Sequence, residues 1–168
     1  LDWQQNYGDN CWMSLFFENH DNPRMVSKVN PDPAVRAPLA KLLATLQLTL
    51  KGTPFIYQGQ EIGMTNWRPE RADMYEDVQT RYTYAHTALQ QSEAVRLPRL
   101  WRSSRDSART PVQWESSEKA GFTTGKTRFH VNQNYKAIHV AQQEDDPASV
   151  LNFSTKHLDT RQSLSYIR

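Results

Sequence analysis

The sequence predicts an α/β fold built on a parallel strand–helix–strand unit. Two observations carry this: two compact apolar runs that each end in polar residues, and a leucine-spaced helix joined to both by short connections. The first run, Met13-Ser14-Leu15-Phe16-Phe17-Glu18, opens into the loaded segment Asn19-His20-Asp21-Asn22-Pro23-Arg24. Asp32 then stands as an N-cap before Pro33. Leu39, Leu42, Leu43, Leu46 and Leu50 follow at helical spacing, placing them on one face, and Gly52 is the stop. The second strand is expected over Thr53-Pro54-Phe55-Ile56-Tyr57-Gln58-Gly59, with a proline where no ladder donor is needed. Further on, a helix is expected from Tyr82 to Val95, a long excursion from Trp101 to Thr127, and a last helix from Pro147 to about Tyr166.

Composition narrows the function classes. A net charge of +2 with no run of like charges gives no footprint for nucleic acid or an anionic membrane. No apolar stretch approaches the ~20 residues of a membrane span. One cysteine, Cys11, excludes an intrachain disulfide and points to a reducing, cytoplasmic compartment. Its place before an apolar run predicts a buried side chain. The five histidines (20, 86, 130, 139 and 157) are too scattered to predict a metal site, and no cofactor is expected. The opening Leu1-Asp2-Trp3, without an initiator methionine, reads as the interior of a longer chain.

Three segments carry chemistry. Glu18 to Arg24 places carboxylates, an imidazole and a guanidinium directly after a strand, where parallel α/β folds build their sites. A His-Asp pair there is as readily a loop cap or salt bridge. Tyr57 to Asn66 sets Glu61 between Gly59 and Gly63; a structural carboxylate bonded to backbone donors is the favoured reading. Ser104-Arg105-Asp106-Ser107-Ala108-Arg109-Thr110-Pro111-Val112-Gln113-Trp114 would be a solvated charged loop in most proteins.

At these residues the chain resembles the α-amylase family of glycoside hydrolases, in the branch of oligo-1,6-glucosidases, dextran glucosidases and α-glucosidases. Glu18 to Arg24 matches the family's fourth conserved region, Gly52 to Asn66 its eighth strand and loop, and Arg105 to Trp114 the branch's RDNARTPMQW signature. The resemblance implies a C-terminal portion of a (β/α)8 TIM barrel: strands 7 and 8, their helices and a long loop after strand 8. Residues 1–168 would then form one partial catalytic domain, incomplete at its N-terminus and with no separate second domain. It also implies roles. Asp21 corresponds to the carboxylate that stabilises the oxocarbenium-like transition state. His20 would hydrogen-bond the same sugar, Arg109 would contact the far hydroxyl of the terminal glucose, and Gln79 stands where α-1,6-active members carry a leaving-side Glu. That Gln79, in Asp77-Val78-Gln79, departs from the α-1,6 pattern, and Gln133, Ser154, His139 and His157 replace the usual Pro, Tyr, Asn and Leu.

The family's nucleophile and acid/base carboxylates have no counterpart in these residues, and a retaining glycosidase needs both, ~5–5.5 Å apart. A whole barrel also takes ~250 residues. The expected function is therefore part of a retaining, exo-acting α-glucosidase acting on short α-linked gluco-oligosaccharides, inactive by itself, whose partner is the missing N-terminal part of the barrel. Trehalose-phosphate hydrolase and sucrose isomerase are alternatives within that chemistry; a truncated, non-catalytic barrel relative is the alternative outside it.

Overall fold

The computed structural model describes residues 2–6, 11–87 and 91–164. The elements run α1 (Asp2–Asn6), β1 (Ser14–Leu15), α2 (Met25–Val29), α3 (Arg36–Thr49), β2 (Thr53–Pro54), α4 (Val78–His86), α5 (Glu93–Ser103), α6 (Asp106–Arg109), α7 (Val140–Glu144) and α8 (Val150–Ser163). Leu1 and Tyr166, which figure in the sequence reading, lie outside the described residues.

β1 and β2 pair in parallel, Ser14 opposite Thr53 and Leu15 opposite Pro54, with α3 between them in sequence. The expected strand–helix–strand unit is present, with paired strands shorter than their apolar runs. Pro54 is tolerated because its neighbours carry the ladder: Thr53 N donates to Met13 O (2.7 Å) and Phe55 N to Leu15 O (2.8 Å). Gln47 of α3, 2% exposed, ties the helix to both strand ends through Nε2 to Leu15 O (2.9 Å) and Phe55 O (2.8 Å).

Asp32 caps as expected, its side chain accepting from Ala34 N; Pro33–Val35 is a 3-10 turn that leads into α3. The helix read from the leucine spacing is present, but that spacing does not mark its buried residues. Leu42 is 63% and Leu46 43% exposed, whereas Ala40, Gln47 and Leu48 are buried. Small Ala40 lets α3 approach Val26 of α2 and Val150 of α8, with Ala37, Leu39 and Leu43 flanking. Close approach decided the buried stripe, which residue size alone misreads.

Other expectations shift too. In place of one helix over 82–95 there are two, α4 and α5, with Pro98 inside the second. Around Trp67, Ala72, Tyr75 and Leu100 they form a core of their own. The excursion from Trp101 contains the end of α5 and all of α6, and Asp106, Ser107 and Ala108 are buried. Cys11 is exposed, because it precedes the point at Ser14 where strand pairing begins. The last helix starts at Val150, with the Ser149 side chain accepting from Asn152 N. Ser154 is buried with its hydroxyl returned to Val150 O (2.8 Å), and His157 stacks on Phe153 at 4.0 Å.

α8 also closes the C-terminus of α3. Arg161 donates to Leu48 O and Leu50 O (2.7 Å each) and to Gly52 O. Gly52 has φ +138°, and a Cβ there would lie 2.5 Å from Met13 O and 2.9 Å from Leu15 Cγ. Gly52→Ala is therefore expected to lower stability by about 2–4 kcal/mol in denaturant melts, because it forces the β1 backbone away from β2.

Candidate active site

His20 and Asp21 sit on a turn just beyond β1. Asn19 shapes it, its Oδ1 accepting from Asp21 N (2.9 Å) and Asn22 Nδ2 (2.8 Å). The turn leaves Asp21 50% and His20 72% exposed, with His20 Nε2 3.3 Å from Asp21 Oδ2.

Two guanidinium groups face that carboxylate. Arg105 and Arg109 are four residues apart, so helical geometry puts them on one side. Arg105 Nη1 reaches Asp21 Oδ1 at 3.2 Å and Arg109 Nη2 reaches it at 3.1 Å. Arg109 Nε also donates to His20 O (3.0 Å). Behind them lies Asp77, the N-cap of α4. Its Oδ1 accepts from Arg105 Nη2 (2.6 Å) and Nε (3.0 Å), and Arg109 Nη1 stands 3.7 Å away. Its Oδ2 accepts from Thr80 N (2.8 Å) and Thr80 Oγ1 (2.7 Å). Charges of alternating sign thus fix both arginines between a buried carboxylate and an open one. Burial acts to raise the Asp77 pKa, but the bonds from Arg105 and Thr80 outweigh it and hold the carboxyl below the ordinary range.

The frame beneath this cluster is the Glu18–Arg24 ion pair (3.1 Å), each side chain 1% exposed. Glu18 Oε1 accepts from Met25 N (2.8 Å). Arg24 donates Nη1 to Gln58 O (2.7 Å) and Nε to Ser107 O (3.2 Å), while its backbone N–H meets Asn66 Oδ1 (2.7 Å). One side chain therefore binds the loop after β1, the loop after β2 and the α6 segment. Burial pushes the Glu18 carboxyl up, against the pull of Arg24. Glu61 is structural as expected: Gly59 N donates to its Oε2 (2.8 Å), and burial raises its pKa.

Asp106 anchors α4 to α6. Its Oδ2 accepts from Glu76 N (2.7 Å) and Asp77 N (3.1 Å), while Oδ1 is buried without a hydrogen-bond partner, as are Tyr75 Oη and Ser107 Oγ. Burial raises the Asp106 pKa, and the nearby Asp77 charge adds to it.

Beside Arg109 opens a cavity of about 240 Å³ walled by Tyr57, Gln58, Thr110, Phe122 and Phe129. Flat rings next to a guanidinium suit a sugar, which offers apolar faces and hydroxyl edges. Of the residues singled out from the sequence, the structure joins His20, Asp21 and Arg109. Gln79 lies apart, exposed in the first turn of α4. Arg24, Asp77 and Arg105 were not singled out, although the four-residue spacing of Arg105 and Arg109, and an Asp three before Thr80, were readable signals. Among the described residues no His, Cys, Asp and Glu side chains cluster as metal ligands.

Two pH-related outcomes follow. The folded Asp77 pKa lies below its unfolded value of about 3.9, so its contribution is complete above that pH and lost as pH falls through the depressed value. Asp77→Asn should therefore melt several degrees below wild type at neutral pH, with the gap narrowing as pH falls below the ordinary carboxylate range. For Asp106 the sign reverses: its raised pKa makes ionisation unfavourable to the fold. Asp106→Asn keeps an acceptor for both backbone donors and should stay within about 1 kcal/mol of wild type at neutral pH, while Asp106→Ala strands them and costs about 2–4 kcal/mol. Chemical denaturation distinguishes the two.

Comparison with known proteins places this arrangement. The family described as "Alpha amylase, catalytic domain" matches residues 1–168. The oligo-1,6-glucosidase of Bacillus cereus is 40% identical over 163 residues, covering 96% of this chain and 29% of the relative. The glucan 1,6-alpha-glucosidase of Streptococcus pneumoniae is 39% identical over 168 residues, covering 98% and 31%. Among solved structures, the trehalose-6-phosphate hydrolase of Bacillus licheniformis superposes with a TM-score of 0.93 at 40% identity, covering 99% of this chain and 30% of that one. An isomaltulose synthase variant from Erwinia rhapontici in complex with D-glucose gives 0.88 at 40%, covering 98% and 30%. The chain spans under a third of the length of these relatives. With the family match running end to end, and sequence and backbone agreeing, the chain belongs to the α-amylase catalytic-domain family, a TIM-barrel family of glycoside hydrolases of the α-glucosidase type.

Proposed function

We propose that this chain is the glucose-holding part of a retaining, exo-acting α-glucosidase, contributing barrel strands 7 and 8 and the long loop after strand 8. The observation that carries this is Asp21, an open carboxylate at the end of a parallel strand, oriented by Arg105 and Arg109 beside His20. A carboxylate so placed favours the positive charge that develops on the sugar ring as the glycosidic bond breaks. His20 and Arg109 bind the terminal glucose, and Gln79 faces the leaving-side sugar of a short α-linked gluco-oligosaccharide.

The cutting groups come from elsewhere. A general acid needs a carboxyl with a raised pKa at the scissile oxygen. Glu18, Glu61 and Asp106 have raised values, but each is engaged with backbone donors away from the solvent-facing edge of Asp21, and Asp77 is shifted the wrong way. The nucleophile and acid/base then belong to an N-terminal part of the barrel. Apolar side chains at the two strands, Trp12 (50%), Phe16 (54%) and Phe55 (54%), are left exposed for it to cover. On this reading residues 1–168 are one partial catalytic domain. The exposed thiol of Cys11 fits a cytoplasmic protein, and among the described residues no helix is long and apolar enough to cross a membrane.

Relatives that carry 1,6-glucosidase, trehalose-6-phosphate hydrolase and isomaltulose synthase names share this segment at similar identity, so its geometry supports α-glucosyl recognition common to several linkages, with Gln79 as its own departure from the α-1,6 pattern. The experiment is a chimera of the Bacillus cereus enzyme carrying these residues in place of its matching segment, assayed on p-nitrophenyl α-glucoside. Turnover is expected from the chimera and none from the 168-residue chain. Asp21→Asn in the chimera should lower kcat by about a thousandfold or more with an unchanged melt. Turnover retained by that variant would sink the assignment of Asp21, and a folded but inactive chimera would favour the non-catalytic alternative.

A further inference from the structure

A second cavity, of about 460 Å³, lies between the α2–α3 connection and the segments 65–68 and 132–138. It is larger than the cavity beside Arg109 and falls in the size range of small-molecule sites. Its floor is apolar: Val26 (4%), Trp67 (3%) and Ile138 (6%). Its rim is polar, with Asp32, Arg36, Arg68 and Asn132.

The polar groups are rigidly held, and several keep capacity to spare. Asn132 donates Nδ2 to Thr65 O (2.9 Å), which fixes the amide and leaves its carbonyl oxygen as an acceptor. Arg36 uses Nη1 on Ile62 O (3.1 Å) and Gly63 O (3.2 Å), leaving Nη2 and Nε as donors. Asp32 commits one oxygen to Ala34 N and retains the other. Trp67 is fixed by the edge of Tyr75 (5.5 Å) and the stacked ring of His130 (5.0 Å). Arg68 is tethered through Nη2 to Pro31 O (3.1 Å).

We propose that this cavity is a second carbohydrate site, one that takes a neutral hexose-sized polyol. Paired donors and acceptors around an apolar floor match vicinal hydroxyls on a ring with an apolar face. The rim carries charges of both signs, Asp32 with Arg36 and Arg68, so a neutral polyol can accept from the guanidinium groups and donate to the carboxylate at once. Asn66 lines this cavity and links it to the Arg24 frame: its Oδ1 accepts from Arg24 N (2.7 Å) and its backbone N–H donates to Ser27 Oγ (2.9 Å).

The test is titration of the full chain with glucose, followed by the 15N-resolved indole N–H signal of Trp67. A saturable shift with Kd of about 1–10 mM is expected. Ala137→Trp, at an exposed lining position remote from Asp21, should abolish it. The same titration in the chimera, with Asp21→Asn present, reads the cavity independently of hydrolysis and of how well the short chain folds. No saturable shift in either protein, a shift that survives Ala137→Trp, or a shift produced by inorganic phosphate in place of glucose would each overturn the proposal. Loss of activity in the Asp21→Asn chimera with the Trp67 response intact would show that the two sites stand or fall separately.

Discussion

The geometry of this protein depends on one buried guanidinium. Arg24 is 1% exposed, paired with an equally buried Glu18, and reaches three chain segments that are far apart in sequence. Removing two charges from water carries a heavy desolvation cost, offset here because the charges meet at 3.1 Å and the remaining valences find backbone carbonyls and an amide. The arrangement is worth less as net stability than as specification: few other placements of these loops would satisfy so many buried groups at once. Breaking the pair by removing one partner is the costly event, about 3–5 kcal/mol in comparable buried pairs.

What that frame specifies is the cluster above it. With Ser107 O and Gln58 O tied to Arg24, the short helix Asp106–Arg109 must present Arg105 and Arg109 toward the His20–Asp21 turn. Asp77 then sets the depth of both arginines, and Asp106 sets Asp77 by accepting its backbone N–H. The open carboxylate of Asp21 is the last member of a series that begins in the core. Its carboxylate is oriented in advance by the two arginines and the Asn19 turn.

Much of this was legible in the residues. The apolar runs around Leu15 and Phe55 and the Asp32 cap have local signals and form as read, and His20, Asp21 and Arg109 come together in space. The burial of α3 was not, because Leu42 and Leu46 look like core until Ala40 and Gln47 are seen to make the close contacts with α8 and the strand ends. Nor was the break between α4 and α5, whose packing on Trp67 and Tyr75 outweighs local helix propensity. The Asp77 cap on Thr80 has a local signal, but the bonds of Arg24 to Ser107 and of Asp77 to Arg105 join residues 83 and 28 positions apart, which no local pattern encodes.

The central claim, that Arg24 couples three loops into one site, is tested most directly by hydrogen–deuterium exchange on Arg24→Met. The account predicts that protection falls together in the turn around residues 19–24, the β2 loop from 57 to 66 and the α6 segment from 104 to 110. Protection lost only beside residue 24, with the other two segments exchanging as in wild type, would contradict it.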